Sequence, residues 1–291
     1  YDKVLKKCND FLSSSGGSSV PDNMMEVEIY YELPIFETSA VVQLPNNSLQ
    51  KFQLKPVGNG SYASVFSYFD ENYNKFFALK RASKTIAPKD LERFYLEFDT
   101  MKKLNSPYIL EVYSIDKKKN EYVMEYADAT LLKYITTHNQ KLTFEERKSL
   151  CNQIIKGFQY LAKKNILHRD ISPNNILIKQ YEDAKIIKIA DLGNVKLSDS
   201  ILTSLDTEIR GAFNDYSGLQ RVGYSNYNFY FEGFALSKLL YFVLTGRYKD
   251  FTKFEFSNLE KFISKGTNPN INQRFSNIHE LKIAFSLIKP K

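Results

Sequence analysis

The chain has 291 residues, of which 43% are hydrophobic and 25% are charged, and its formal net charge is +7. This composition is close to that of ordinary globular domains, and it excludes a collagen-like, fibrous or largely disordered protein. No apolar run approaches the roughly 18 residues that cross a bilayer, so no membrane span is predicted. The N-terminal residues show no apolar stretch with a small-residue cleavage site, so no secretory leader is predicted either.

Cysteine content and charge distribution narrow the class further. Cys8 and Cys151 are too few for a disulfide framework or a four-ligand zinc site, and they favour a reducing, cytoplasmic compartment. The 40 basic residues are interspersed with 33 acidic ones, and the longest basic run, 117–119, lies where a hairpin turn is predicted. A solvated turn is therefore favoured over a nucleic-acid-binding patch, and no nucleic-acid partner is expected.

The first 48 residues are predicted to form an extension of the main body. Apolar residues recur at helical spacing in residues 4–12 and predict a short amphipathic helix. Residues 13–21, SSSGGSSVP, form a linker, and residues 26–33 and 40–44 have the pattern of short strands. Two roles stay open: the extension packs on the body as extra strands, or its helix docks on a partner.

From residue 49 the pattern predicts a sheet-rich part and then a helix-rich part. Strands are predicted over 52–57, 63–69, 75–82, 108–115 and 121–127, and helices over 88–105, 131–138 and 143–165. Thr143 and Glu146 form a capping-box signature at the start of the last of these helices. The order predicts an α+β fold with a β-rich first lobe over 49–126, which contains one helix, and a helical second lobe over 127–291.

The segment GNGSYASV, between the first two strands of this lobe, is a candidate phosphate loop. Glycine allows backbone N–H groups to approach phosphate oxygens, but a tight hairpin needs glycine for its own turn, and alone the segment favours the turn. The candidate nucleotide-contacting residues of this segment are Val57, Gly58, Asn59, Gly60, Ser61, Tyr62, Ala63, Ser64 and Val65.

Lys80 and Glu97 are predicted to form a pair. Lys80 lies on the next strand, from which its ammonium group could reach phosphates under the glycine segment, although a lone strand lysine is commonly a solvated edge residue. Glu97 lies in the middle of the predicted helix among apolar neighbours, and an inward-facing carboxylate needs a cation. Glu92 fits the exposed side of the same helix better.

The strongest signal is ILHRDISPNNIL at residues 166–177. It places Asp170 and Asn175 in one loop, so that a base and a metal-binding amide share it. Asp191 follows the predicted strand 186–190, and a carboxylate at a strand end beside a glycine is well placed to hold a divalent cation. Each feature alone could be a cap or a turn, whereas their order and spacing together indicate a catalytic site.

These motifs resemble those of the eukaryotic-type protein kinases, whose signature is a glycine loop, a strand lysine, HRD with a following asparagine, and DFG. The resemblance covers roughly Leu49 to the C-terminus. It implies that the backbone of Glu125 and Ala127 faces the adenine edge, with Met124 behind it. It also implies that Glu232 stands where the family usually has aspartate, and that Arg274 is the family's late structural arginine.

The resemblance implies transfer of the ATP γ-phosphate to hydroxyls of a protein substrate, on serine or threonine, with autophosphorylation. Asp170 would orient the attacking hydroxyl, and Lys80, fixed by Glu97, would hold the α- and β-phosphates. Asn175 and Asp191 would hold Mg²⁺. Arg169 would anchor a phosphorylated activation segment, for which residues 198–207 offer several hydroxyls.

Several positions depart from the family pattern. Ala63 replaces the third glycine, and Leu192 replaces the phenylalanine of DFG. Ser172 stands where serine/threonine kinases carry a lysine that touches the transferred phosphate. The nearest match to the APE motif is SGL at 217–219, so Arg274 is expected to lack its usual carboxylate partner. The short stretch after Gly246 predicts a trimmed substrate-docking region.

Two other functions remain open from these departures. A pseudokinase scaffold is favoured by the missing APE motif, the missing lysine and the short second lobe, and opposed by the five intact residues of the signature. A small-molecule kinase would share the catalytic loop, but Arg169 suits control by a phosphorylated polypeptide and argues against it.

Overall fold

The computed structural model describes residues 35–37, 51–60, 62–197 and 212–291. Several predicted features lie outside the described residues: the N-terminal helix, the linker, the strands at 26–33 and 40–44, Ser61 and the hydroxyl residues at 198–207. Residues Phe52–Lys291 belong to one compact unit. Within the described residues, no helix combines the length and the apolar character that crossing a membrane requires.

The first lobe is built on a five-stranded antiparallel sheet in the order β3-β4-β5-β7-β6. The strands up to residue 126 are β1 (Ile35–Glu37) in the extension, and β2 (Lys51–Gln53), β3 (Lys55–Asn59), β4 (Ala63–Asp70), β5 (Lys75–Ala82), β6 (Val112–Asp116) and β7 (Glu121–Glu125) in the first lobe. Asn74 and Asn120 turn the two hairpins with positive φ angles of 49° and 52°, a conformation that asparagine tolerates. The exposed lysines 117–119 lie in the second of these turns, as predicted.

The strands predicted over 52–57 and 108–115 differ most from the observed bounds, and the strand predicted over 121–127 ends at Glu125. The segment 52–57 is not one strand, because the extended structure is interrupted at the buried Leu54 between β2 and β3. The strand predicted over 108–115 begins at Val112, because the residues before it bond to the second lobe. The Leu110 N–H donates to the Ile189 carbonyl at 2.9 Å, and the Ile189 N–H donates to the Tyr108 carbonyl at 2.8 Å.

One helix, α1 (Pro88–Lys102), packs against this sheet. It begins with proline, whose missing N–H is unneeded in the first turn, and it ends three residues before the predicted end. Its buried residues include Phe94, Glu97, Phe98 and Met101, which share one face at helical spacing. The inward position predicted for Glu97 is therefore confirmed, and Glu92 is exposed.

The second lobe is helical with short strands at its junction with the first. Its elements in the described residues are β8 (Ala129–Thr130), α2 (Leu131–His138), α3 (Phe144–Lys163), β9 (Ile166–Leu167), β10 (Ile176–Gln180), β11 (Lys185–Ile189), β12 (Lys196–Leu197), α4 (Tyr216–Val222), α5 (Phe229–Thr245), β13 (Phe256–Ser257), α6 (Leu259–Gly266), α7 (Ile278–Ser286) and β14 (Lys289–Pro290). Two 3₁₀ turns, Tyr224–Asn226 and Ile271–Gln273, flank α5 and α7 in the chain.

Two helices of this lobe hold the loop at 166–177: α3 precedes it in the chain, and α5 bonds to it through Glu232. Helix α3 opens with the predicted capping box, in which Thr143 and Glu146 bond to each other's backbone N–H groups. Helix α5 is apolar on all sides and buried from Phe231 to Leu244, as expected of a helix at the centre of a lobe. It ends at Gly246, whose φ of 73° suits glycine. The predicted α+β fold, with a sheet-rich first lobe and a helical second lobe, is confirmed.

Candidate active site

Lys80 and Glu97 meet beneath the sheet of the first lobe. Lys80 lies in the middle of β5, paired with Val65 on one side and Tyr122 on the other, so its position is fixed by two strands. Its Nζ lies 2.6 Å from Oε2 of Glu97, and both side chains are almost entirely buried. Such a pair has lost its hydration, so each charge depends on the other, and removing one partner leaves an uncompensated buried charge.

The electrostatics of this pair follow from burial and proximity. Burial alone would lower the pKa of Lys80, but the charge of Glu97, together with Tyr122 and Asp191, raises this pKa well above its usual value. Burial also raises the pKa of Glu97, and Lys80 works against that rise. At a separation of 2.6 Å the ionised pair is the form that the lysine supports. A cation is thereby held at the inner face of the sheet.

The glycine segment forms the β3–β4 hairpin, and its register shifts between Pro56 and Gly58. The Gly60 N–H donates to the Ala63 carbonyl at 2.8 Å, and a Cβ on Gly60 would lie 3.2 Å from that same oxygen. A side chain at position 60 would crowd the Ala63 carbonyl, and glycine avoids that crowding. The Ser64 hydroxyl donates to Asn59 at 2.8 Å across the hairpin.

The residues of this hairpin divide into an exposed tip and an inward-facing base. Val57, Gly58, Asn59 and Gly60 are exposed, whereas Ala63 is buried and Val65 packs on the core. The ring of Tyr62 lies 5.5 Å from Nζ of Lys80, so the base of the segment reaches the buried cation. Ser61 lies outside the described residues.

The segment that joins the lobes is tied to both of them. The Glu125 N–H donates to the Glu111 carbonyl at 2.8 Å, and its carboxylate accepts from Nζ of Lys188 on β11 at 2.8 Å. Met124 is buried, and Ala127 packs beside it on the same core. The Asp128 N–H then donates to the Ile178 carbonyl at 2.9 Å, which fixes the start of the second lobe.

Glu232 organises the start of the catalytic loop from the first turn of α5. Its two carboxylate oxygens accept from the backbone N–H groups of His168 at 2.7 Å and Arg169 at 3.3 Å. The hydroxyl of Tyr227 donates to the same carboxylate at 2.7 Å. Three donors satisfy a carboxylate that is 2% exposed, so the longer glutamate bonds the loop from this position.

His168 connects this loop to the strand that precedes Asp191. Its Nδ1 lies 3.3 Å from the N–H of Asp170, which only a bare nitrogen accepts, and its Nε2 lies 3.0 Å from the Ala190 carbonyl. This pattern assigns the neutral tautomer with the proton on Nε2. His168 is fully buried, and its two hydrogen bonds connect the loop that contains Asp170 to the end of the strand that precedes Asp191.

Asp170 and Asn175 lie on the same loop, as predicted, and bond to each other. The Asn175 amide donates from Nδ2 to the Asp170 carbonyl at 2.9 Å, so its Oδ1 is turned away from that bond. Burial raises the pKa of Asp170, the charge of Asp191 adds to the rise, and side-chain amide hydrogen bonds oppose it, so that the net shift is upward. A carboxylate with an elevated pKa is a better proton acceptor.

Asp191 stands at the end of β11 with a φ of 60°, a region that non-glycine residues seldom occupy. Its Oδ1 is buried without a hydrogen-bond partner in the part of the chain that the structure describes. Leu192, next in sequence, is fully buried in the hydrophobic core. Strain and an orphaned oxygen at one residue indicate a ligand-binding role.

Asp191 and Asn175 fit a magnesium ion by the chemistry of their donor atoms. Carboxylate and amide oxygens are hard donors, which Mg²⁺ prefers, and the orphaned Oδ1 of Asp191 is available for coordination. Two protein ligands are few, but Mg²⁺ keeps several waters and completes its shell with substrate phosphates. The set therefore suits a cation that arrives with a nucleotide.

Arg274 has a carboxylate partner, although it is not the one that the family motif would supply. Its Nη2 lies 2.5 Å from Oδ2 of Asp215, and the arginine is 3% exposed. Asp215 also caps α4 by accepting from the Gly218 N–H at 2.9 Å. Although burial raises the pKa of Asp215, these hydrogen bonds hold it below its usual range. The partner lies two residues before the SGL segment, so a motif search at 217–219 misses it.

Three further polar residues surround the catalytic loop and were not predicted from the sequence. The Asn194 amide donates to Oδ2 of Asp170 at 3.4 Å, and the Asn214 amide donates to the Arg169 carbonyl at 2.9 Å. Burial raises the pKa of Tyr216, and the charge of Asp170 adds to the rise, which places this ring near the catalytic carboxylate. Proximity to Asp191 in sequence was the one available signal, and it pointed to Asn194.

Arg169 differs from the exposed anchor that its predicted role suggests. Its side chain is 2% exposed, and its guanidinium lies 5.6 Å from the ring centroid of Tyr227. Its φ of 66° is in the left-handed region, so the backbone turns sharply at this residue. Burial lowers the pKa of Arg169, while Tyr227 and Glu232 raise it.

Comparison with known proteins gives a family match. Residues 52–282 match the family described as Protein kinase domain. The chain is 32% identical over 144 residues to the carbon catabolite-derepressing protein kinase of Candida glabrata, which covers 48% of this chain and 23% of the relative.

Other relatives carry similar names. The chain is 32% identical over 151 residues to a probable serine/threonine-protein kinase MRK1 homolog of Encephalitozoon cuniculi, covering 50% of this chain and 44% of the relative. It is 27% identical over 175 residues to the inhibitor of nuclear factor kappa-B kinase subunit beta of Bos taurus, covering 55% and 23%. The matches thus span a minor part of each of these relatives.

Proposed function

We propose that this chain, which belongs to the protein kinase domain family, transfers the γ-phosphate of ATP to hydroxyl groups of a protein substrate. Serine and threonine are the proposed acceptors, because the relatives with a stated specificity are named serine/threonine kinases. Autophosphorylation is part of the proposal, since the activation segment 198–207 is rich in hydroxyl residues.

The residues of the site divide the work of phosphoryl transfer, which depends on positioning and charge neutralisation. Lys80, held by Glu97, would bind the α- and β-phosphates, and the hairpin from Val57 to Val65 would cover them. The backbone of Glu125 and Ala127 would bind the adenine edge. Asp170 would accept the proton of the attacking hydroxyl.

Magnesium would be held by Asn175 and Asp191. Bound there, Mg²⁺ would neutralise the negative charge that develops on the transferred phosphoryl group. Asp191 would supply the charged oxygen, and Asn175 would supply a neutral one from the same loop as Asp170. The orphaned Asp191 Oδ1 is the observation that supports this assignment.

A single observation carries the proposal over a scaffold role: the catalytic groups are connected to one another. Lys80 contacts Glu97 at 2.6 Å, and Asn175 bonds to the backbone of Asp170 at 2.9 Å. Gly193 lies against α1, where a Cβ would be 3.7 Å from the Cβ of Glu97, so the segment after Asp191 packs beside the Lys80–Glu97 pair. A scaffold has no physical need for this arrangement.

The test is label transfer by the purified wild-type chain with γ-labelled ATP and Mg²⁺. Label is expected on the chain itself and on a generic basic protein, and hydrolysis of the labelled protein is expected to release phosphoserine or phosphothreonine. Binding of Mg·ATP without labelling of either protein would favour a scaffold. Label on a metabolite alone would favour a small-molecule kinase.

We also propose the division of the chain into an extension, 1–48, a first lobe, 49–126, and a second lobe, 127–291. A reducing, cytoplasmic compartment is proposed because Cys151 is a buried free thiol, and one other cysteine, Cys8, is present in the sequence.

The Lys80–Glu97 pair is expected to act as one unit. Lys80→Ala and Glu97→Ala should each lower kcat/KM by about tenfold to a thousandfold, because each leaves one buried charge unpaired. The double variant should lose little more than the worse single one, which a double-mutant cycle of kcat/KM measures. Glu92→Ala, on the exposed side of the same helix, is the control and should retain full activity. Additive losses would contradict the pairing.

A further inference from the structure

The catalytic carboxylate of this chain lies in a setting without a nearby loop lysine. Asp170 is 9% exposed, and the charge of Asp191 acts on it. Position 172, two residues later, holds a serine that is itself buried. A buried carboxylate beside a second carboxylate needs donors to define which way it faces, because repulsion alone would turn it.

Asn194 provides such a donor from another segment. Its Nδ2 lies 3.4 Å from Oδ2 of Asp170, a long hydrogen bond, and hydrogen bonds between catalytic groups are commonly long in structures without substrate. The amide sits directly after Gly193, where a Cβ would lie 3.4 Å from the Arg93 carbonyl of α1. This close packing fixes the backbone from which Asn194 reaches Asp170.

Packing alone does not explain an asparagine here. The residue is 9% exposed, and its Oδ1 is buried with no hydrogen-bond partner among the described residues. Leaving a buried amide oxygen unsatisfied costs about 1–3 kcal/mol, so leucine, which has a similar volume, would fill the space at lower cost. A polar group retained under this penalty indicates a functional constraint.

We propose that Asn194 is a positioning residue for Asp170, which rests on the proposed function. Its amide N–H holds Oδ2 of Asp170 and leaves the other carboxylate oxygen to receive the proton of the attacking hydroxyl. This role falls to Asn194 because Ser172 places no cation beside the carboxylate. The amide adds no charge, so Asn194 orients Asp170 without altering the hold on the nucleotide.

Two substitutions of Asn194, with one control elsewhere in the chain, separate positioning from packing. Asn194→Leu keeps the volume but loses the donor, and it is expected to lower kcat by about tenfold to a hundredfold, a part of what general-base catalysis contributes. Asn194→Asp has the same shape but repels Asp170, so its loss of kcat should be larger. In Asn194→Leu the KM for ATP and the Kd of Mg·ATP should stay near wild type, and the Tm should stay at or above the wild-type value, because the unsatisfied amide oxygen is removed. Asn152→Ala, at an exposed position of α3, is the control.

A rescue experiment adds a readout that a structural role would not move. Ser172→Lys in the Asn194→Leu background supplies a cation near Asp170 and should restore part of kcat, with a smaller effect in the wild-type background. Full kcat in Asn194→Leu would overturn the inference, and so would losses of Tm and Mg·ATP affinity that match the loss of kcat. A wild type that transfers no label overturns the proposed function and this inference together, whereas an active wild type with an indifferent Asn194→Leu overturns the inference alone.

Discussion

Asp191→Asn is expected to abolish phosphoryl transfer, with a fall in kcat of roughly a thousandfold or more. The variant keeps the shape of the side chain but removes its negative charge, and one neutral amide cannot hold the cation as a carboxylate does. Metal-ion catalysis stabilises transition-state charge by several kcal/mol, and each 1.36 kcal/mol corresponds to a factor of ten in rate. The buried, unpaired Oδ1 locates this loss at a single atom.

The measurement is a magnesium titration of both label transfer and nucleotide binding. In the wild type, the affinity for ATP by calorimetry should rise with Mg²⁺, and in Asp191→Asn that dependence should be much weaker. Asp183→Asn makes the same chemical change at an exposed turn and should leave both readouts unchanged. A wild-type rate in the Asp191→Asn protein would exclude Asp191 from the metal site.

Much of the fold is local enough to be predicted from the sequence. The strand 75–82, which is centred on an apolar and aromatic run, and the helix 131–138, whose apolar residues recur at helical spacing, have the predicted bounds. The predicted strand 108–115 does not have its predicted start. Tyr108 and Leu110 bond through their backbone groups to Ile189, a partner that is 79 to 81 residues away in the chain. Such a non-local bond leaves no trace in local periodicity.

The candidate site divides in the same way. The contact between Lys80 and Glu97 follows from helical register, because an inward-facing glutamate among apolar residues needs a cation. The contact between Arg274 and Asp215 does not follow, because the family motif at 217–219 is absent and the carboxylate stands two residues earlier. The proximity of Asn194 to Asp191 in the chain indicates that it lies near the site, but its contact with Asp170 depends on the loop conformation between Asp191 and β12, which the sequence does not specify.

Those two missed contacts bear on the choice between enzyme and scaffold. The missing APE motif favours a scaffold, because it removes the usual carboxylate partner of Arg274. Asp215 provides a carboxylate partner and caps α4, so the first residue before α4 is bonded to Arg274 despite the altered sequence. Ser172 remains a true departure, and the Asn194 contact lies beside it. The departures therefore alter the contacts around Asp170 and Arg274 and leave the residues of the kinase signature in the sequence.

Asp170→Asn is expected to remove most turnover while leaving nucleotide binding nearly intact. Under the proposed function, the carboxylate would act on the attacking hydroxyl in the transition state, whereas Lys80, Asp191 and the glycine hairpin would hold the nucleotide in the ground state. An interaction made only at the chemical step lowers kcat without weakening binding. General-base catalysis contributes about 10²–10⁴-fold, so kcat should fall by roughly this factor while the Kd of Mg·ATP stays within about threefold.

Paired measurements on wild type and Asp170→Asn test this prediction: calorimetry gives the affinity for Mg·ATP, and label transfer gives turnover. The same substitution at the exposed Asp183 is the control, and a Tm near wild type shows that the loop bonded to Glu232 is intact. Equal turnover in the two proteins would remove Asp170 from the reaction. A parallel loss of binding would instead make Asp170 part of the nucleotide site, because a residue that acts only on the hydroxyl has no effect on the ground-state complex.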